Sequence, residues 1–142
     1  MIAATAIALL SLAQSFGRLE PLTLANDLRG GYQVLAADLN RDGREDLIAL
    51  ASGVDHLDWF ENPGGKGSWK RHVLARGFRQ LINVAARDLD GDGIPELLVA
   101  HEFSNLPAKS LGTVSLLRHS GDPTKLWRRE DIEQRPTSHR LK

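Results

Sequence analysis

The chain has 142 residues, no cysteine, and 18 basic residues against 18 acidic ones, so its formal net charge is zero. That length suits one domain of ordinary size. The charge balance gives no reason to expect nucleic acid or an anionic membrane as partner. The missing cysteines exclude a disulfide framework, a thiol nucleophile and any Cys-ligated metal. A 42% hydrophobic fraction is enough for a packed core, and thirteen glycines with six prolines point to many turns and short elements.

The first segment reads as an address. Ile2 to Leu12 is almost unbroken small and apolar sequence, followed by Ala13, Gln14 and Ser15. An apolar stretch of about 7–15 residues ending in small residues is the pattern of a secretory signal. It is too short to span a bilayer, which takes about 20 apolar residues. Nothing basic lies between Met1 and the apolar run. The expectation is a signal peptide over residues 1–15, cleaved near Ser15–Phe16, with the rest secreted, periplasmic or at the cell surface. The competing reading is a buried first strand or helix of the domain.

The remainder repeats itself. Leu24-Ala25-Asn26-Asp27 is matched 50 residues later by Leu74-Ala75-Arg76-Gly77, and the acidic stretch from Asp38 by that from Asp88. Each acidic stretch leads into an apolar run, Leu47-Ile48-Ala49-Leu50-Ala51 and Leu97-Leu98-Val99-Ala100. Trp69-Lys70-Arg71 recurs as Trp127-Arg128-Arg129. Apolar runs this short, bounded by Gly, Pro and Asp, read as strands. Leu57 to Glu61, ending at Asn62-Pro63-Gly64-Gly65, and Gly112 to Leu117 supply further strands, and no helical stripe is sustained after the first segment. About four short strands per unit is the signature of a propeller blade. The expected fold is all-β: about two four-stranded β-propeller blades, part of a larger propeller. Repeat 1 covers about residues 24–73, repeat 2 about 74–131, and residues 132–142 begin a third, whose acidic loop would open at position 146.

The acidic loops carry the chemistry. Asp38, Asn40, Asp42 and Asp46 stand at relative positions 1, 3, 5 and 9, with Gly43 at 6. Asp88, Asp90, Asp92 and Glu96 repeat the pattern, with Gly93 at 6. Alternate oxygen side chains on a curled loop converge on one point, which suits the six to eight oxygens that calcium takes. The backbone carbonyls of Arg44 and Ile94, at position 7, would complete the shells. Position 12 is Ala49 or Val99, not the glutamate of a helix–loop–helix site, so these are calcium loops between strands. Up to two structural Ca2+ ions are expected. The competing reading is a pair of Asp-Gly turns without metal. Arg41 stands where a small residue is usual, and the first loop is one carboxylate poorer.

These two loops, Asp38 to Leu47 and Asp88 to Leu97, together with Trp59-Phe60-Glu61-Asn62-Pro63 and the Trp69 segment, resemble the FG-GAP/VCBS repeat family of extracellular β-propellers. The resemblance runs from about Leu24 to Lys142 and implies calcium at the loops and a blade-like fold. It implies no activity, since such repeats serve adhesion proteins, lyases and sugar-active enzymes alike. The second half also has some similarity to the propeller part of bacterial proteins related to aldos-2-ulose dehydratase. On that resemblance His101 or His139 would be a general base and Arg140 would hold a sugar oxygen or an enolate; the alternative is that all three are exposed loop residues. The three tryptophans are read as blade-packing aromatics or as sugar platforms. The stretch Phe103 to Leu111, where repeat 2 is longer than repeat 1, marks a candidate binding face.

The function expected is an exported, calcium-stabilised repeat module that binds a protein or carbohydrate ligand and self-associates when alone. The alternatives are the N-terminal part of a sugar lyase or dehydratase, and a truncated product without independent function. No catalytic constellation is visible in the sequence.

Overall fold

The computed structural model describes residues 20–136 and 140–141. The expected signal segment, His139 and Lys142 lie outside the described residues.

Among the described residues, eight strands form two separate four-stranded antiparallel sheets, each in simple chain order. The first holds β1 (Gly31–Ala37), β2 (Asp46–Ala51), β3 (His56–Glu61) and β4 (Lys70–Arg76). The second holds β5 (Asn83–Arg87), β6 (Glu96–His101), β7 (Thr113–Arg118) and β8 (Arg128–Gln134). The one helical element among the described residues is a 3-10 turn over Pro107–Lys109. The fold is all-β with two blade-like sheets, as the repeat predicts.

The middle strands explain why the sheets stack. Ile48, Leu50, Leu57 and Trp59 in the first sheet, and Leu97, Val99 and Leu117 in the second, are buried. They belong to one continuous core cluster that also takes in Leu39, Leu74, Phe78, Leu81 and Val84. Trp59 and Trp127 sit in this core at 0% and 4% exposure, which makes them packing residues. The outer strand β8 is largely exposed.

A side-chain amide fastens the two innermost strands. Gln33 on β1 accepts the N–H of Val84 through Oε1 at 2.8 Å and donates Nε2 to the Val84 carbonyl at 3.0 Å. Asn83 adds a donated bond to the same Oε1 at 2.8 Å. A glutamine thus stands in for a ladder partner on the inner edge of β5. On the outer side, Trp127 donates its backbone N–H to the Leu74 carbonyl at 2.7 Å, tying the approach to β8 onto the end of β4.

Val84 is buried at 2% exposure, so its backbone groups cannot turn to water without opening the interface. Replacing Gln33 with leucine leaves both unpaired, which costs about 1–3 kcal/mol. The expected readout for Gln33→Leu is a lower urea midpoint at unchanged m-value. An unchanged midpoint would show that the amide contributes nothing to holding the sheets together.

Candidate metal centre

The acidic loops join β1 to β2 and β5 to β6, and their curl is set by the first aspartate of each. Asp38 accepts the N–H groups of Asn40, Asp42 and Gly43, at 3.3, 3.2 and 2.8 Å. Asp88 accepts those of Gly91 and Gly93, at 2.7 and 3.0 Å. Gly43 and Gly93 have φ of +79° and +88°, a conformation that costs a side-chain-bearing residue about 1–2 kcal/mol. Position 4 is also left-handed: Gly91 has φ +78°, and Arg41 adopts φ +60° in the first loop. The Arg41 side chain turns toward the second loop. It lies against Gly93, where an added Cβ would come within 3.0 Å of its Nε, so the first loop reaches across to the second.

The ninth-position carboxylates are the buried members, Asp46 at 0% and Glu96 at 2% exposure. Each accepts the N–H of the loop's second residue, Leu39 to Asp46 at 3.1 Å and Leu89 to Glu96 at 2.8 Å. Asp46 also accepts the Asn62 N–H at 2.7 Å through its other oxygen. Burial pushes the Asp46 carboxyl above its ordinary range, against the pull of these two N–H bonds.

The two loops then differ. In the second, ligand atoms of Asp88, Asp90 and Glu96 lie within 4.8 Å of one another. Asp92 turns its Oδ2 to His119 Nε2 at 3.1 Å and accepts the Ile94 N–H at 2.8 Å. In the first loop Asn40 replaces an aspartate and donates to Asp42 Oδ2 at 3.0 Å. The Arg44 guanidinium forms an ion pair with that same oxygen and donates Nε to the Asn62 carbonyl at 3.2 Å. A cation of the chain itself therefore sits on a carboxylate of the first loop, while Arg41 brings another beside Gly93 of the second. The second gathers three carboxylates whose mutual repulsion a bound cation would relieve. Oxygen-only donors of this kind suit a hard divalent cation.

The other candidates are dispersed. Arg140 is exposed. His101 closes β6 at 1% exposure and is not an exposed loop residue. Its Nε2 lies 2.8 Å from Ser115 Oγ and 3.2 Å from Arg129 Nη2, with the Phe78 ring edge-on at 5.1 Å. Ser115 Oγ donates to Asp131 Oδ1 at 2.6 Å. Serine, histidine and carboxylate meet here, but the carboxylate holds the serine and Arg129, not the imidazole. His101 Nδ1 is buried without a partner among the described residues. This is not the relay of a nucleophile with an oriented base, in which the carboxylate holds the histidine; it packs the sheet.

Arg129 is the residue that sequence reasoning missed, and the recurring Trp-x-Arg marker was its signal. Its Nε bonds Asp131 Oδ1 at 2.8 Å, its Nη1 bonds the Gly77 carbonyl at 3.1 Å, and its guanidinium lies 4.6 Å over the Phe78 ring. In the first sheet Arg71 holds the same repeat position. It bonds buried Asp58 at 2.7 Å and both oxygens of Asp27 at 2.8 Å. Each arginine staples an outer strand to the segment that enters its own blade.

At the end of the sheets opposite the acidic loops, a cleft of about 910 Å³ opens between the blades. Arg29, Asp55, His56, Arg79, Glu102 and Lys109 line it. The lengthened stretch contributes Lys109 and Leu111 to its wall, and Phe103, Ser104 and Asn105 to an adjoining hollow of about 520 Å³. No helix among the described residues is long and apolar enough to cross a membrane.

Residues 38–99, from the first acidic loop through β6, match the family model of the FG-GAP-like repeat; this stretch carries that repeat. No curated protein and no solved structure matches the chain.

Burial, and then the nearby Arg129 charge, hold His101 below its ordinary pKa of 6.5. A base depressed on folding is protonated more readily in the unfolded chain. Its stabilising contribution is therefore complete above pH 6.5 and is lost as pH falls below that value. The expected result is a decline of the urea midpoint on acidification from pH 7 to 5 that is shallower in His101→Gln. Equal declines would show that His101 takes up its proton while folded.

Proposed function

We propose that this chain is a calcium-stabilised, exported propeller repeat module whose role is binding. The observation that carries the calcium reading is the convergence of Asp88, Asp90 and Glu96 on a strand–loop–strand turn. Asp92 and the Ile94 carbonyl complete the expected ligand set of the second loop. In the first loop the set is Asp38, Asn40, Asp42, Asp46 and the Arg44 carbonyl, and here an ion has to compete with the Arg44 side chain. The second loop is therefore the tighter site. Calcium supplies a divalent charge that fastens the loop, in a chain with no disulfides to do so. The apolar segment before residue 16 supports export, and extracellular calcium is plentiful.

The inter-blade cleft supports the binding role. It lies away from the acidic loops, and the segment that lengthens repeat 2 walls it. Its mixed charges and hydrogen-bonding groups suit a polar protein or carbohydrate surface. The sugar-lyase alternative gains no residue from the described site, because His101 is enclosed between strands.

Thermal unfolding of the chain in millimolar calcium and in chelator tests the reading. Native-state binding stabilises by about 2.7 kcal/mol at a hundredfold excess over Kd, so the midpoint is expected to rise by several degrees in calcium. Asp88→Ala with Asp90→Ala should abolish most of that rise, and Asp38→Ala with Asp42→Ala a smaller part. A cooperative melt indifferent to calcium would sink the metal reading and leave two hydrogen-bonded turns.

A further inference from the structure

The charges of the inter-blade cleft are not evenly engaged. Its three carboxylates all have partners within the chain. Asp27 accepts Arg71 Nη1 on both oxygens at 2.8 Å, and Asp55 lies 3.0 Å from His56 Nδ1. Glu102 accepts Arg79 and Thr113, at 2.6 Å each. Hydrogen bonds from Arg71, His56 and Thr113, respectively, hold the three below the ordinary carboxyl range. Two of the cations are not engaged in this way. Arg29 donates one bond to the Gly53 carbonyl at 3.4 Å, and Lys109 is exposed. Neither pairs with a carboxylate among the described residues.

Both cations stand on fixed backbone. The Arg29 carbonyl accepts the Gly53 N–H at 3.0 Å, and a Cβ at position 53 would come within 2.7 Å of that oxygen, so the contact requires glycine. Lys109 ends the 3-10 turn. The neck of its connection is fastened where the Glu102 carbonyl accepts the N–H groups of Leu111 and Gly112, at 3.2 and 3.3 Å. Gln80 and Glu102, on the wall given by the second blade, have φ of +50° and +57°. Such strain persists only where the surrounding structure over-determines the backbone. Ser52 and Gln80 line both the cleft and the adjoining hollow, so the two form one trough, walled from both blades. Its hollow half carries Tyr32 and Phe103 beside Gln80, Ser104 and Asn105.

We propose that this trough takes an acidic oligosaccharide, with a sugar carboxylate at Arg29 and Lys109 and a neighbouring sugar ring at Tyr32 and Phe103. Guanidinium and ammonium donors suit a carboxylate. Rings beside hydroxyl and amide groups suit a sugar, whose C–H face packs on an aromatic surface while its hydroxyls take hydrogen bonds. The cleft alone, at about 910 Å³, reaches the upper end of the roughly 300–1,000 Å³ of small-ligand pockets. With the hollow it has room for several joined sugar units. The inference rests on the reading of this cleft as the binding site, and stands whether or not the acidic loops hold calcium.

Isothermal titration calorimetry on the full chain tests both levels. The probes are tetrasaccharides of galacturonate and of glucuronate, the same tetrasaccharides with their carboxylates reduced to alcohols, and oligoglutamate. A uronate tetrasaccharide is expected to bind, and to bind less tightly as salt rises. Arg29→Gln with Lys109→Gln should weaken it about tenfold, whereas Lys125→Gln, at a lysine outside the cleft, should leave it unchanged. Gln80→Trp, which fills the trough where its halves meet, should abolish binding; Asn105→Trp serves if that variant loses the wild-type circular dichroism. Reduced sugars or oligoglutamate binding as tightly as the uronates, and lost in Gln80→Trp, would overturn the acidic sugar and leave the cleft a binding site. Uronate binding unmoved by the Arg29 and Lys109 changes would do the same. No binding of any probe, or binding that the trough-filling variant leaves intact, overturns both the inference and the reading beneath it.

Discussion

The central strands of each sheet are largely apolar on both faces, and a sheet of that kind draws most of its stability from having those faces covered. β2 and β3 are buried along nearly their whole length, and so are β6 and β7. The contact between the sheets meets this demand on one side of each. Burying a leucine or phenylalanine side chain stabilises by about 1.5–3 kcal/mol, whereas a net hydrogen bond contributes about 0.5–1.5 kcal/mol. With Leu39, Leu74, Phe78, Leu81 and Val84 gathered in one cluster, apolar burial supplies the adhesion. The Gln33 amide and the Arg71 and Arg129 staples set register and orientation within it.

That division of labour explains where the polar groups lie. Leu39 belongs to an acidic loop and is also an interface residue, so the curl of the loop and the seating of the second sheet are one geometric problem. Asp46 and Glu96 solve it from beneath by accepting the N–H of Leu39 and of Leu89. Placing a carboxylate there has an electrostatic cost, and the loops meet it differently. The first sets Arg44 on Asp42 and sends Arg41 across to Gly93. The second has His119 on Asp92 and three carboxylates together. A longer ninth side chain, glutamate in place of aspartate, belongs to the loop that gathers them.

The features legible in the sequence are those encoded within a few residues. Alternate oxygen side chains with glycine at position 6, short apolar runs and the Asn62-Pro63-Gly64-Gly65 turn each dictate local backbone, so strands and loops fall where the repeat places them. Burial was less legible, because it depends on what lies across the interface. Leu39 and Leu89 hold the same position in their loops, each following an aspartate, and have opposite exposure. His101 follows an apolar run and precedes a glutamate, which reads as a loop; the β7 strand beside it and Phe78 enclose it instead. Arg71 and Arg129 were visible as part of a recurring marker. Their partners Asp27 and Gly77 lie about fifty residues away, a distance over which spacing alone carries no contact information.

The two ends of the sheets are under different constraints, and this bears on where function can change. At the acidic end the β1–β2 and β5–β6 loops have equal length in both repeats, since nine positions must return the chain with a carboxylate beneath its own second residue. At the other end the corresponding connections differ. β2 meets β3 through a tight turn over residues 52–55, whereas β6 meets β7 through Glu102 to Gly112 with its 3-10 turn. Lengthening a connection costs little in closure entropy, about 0.6 kcal/mol per doubling. Only the end without a hydrogen-bonded nine-position curl to preserve is free to accept that change. The cleft walled by the longer connection is therefore the part of the molecule that can vary its chemistry without disturbing the packing beneath it.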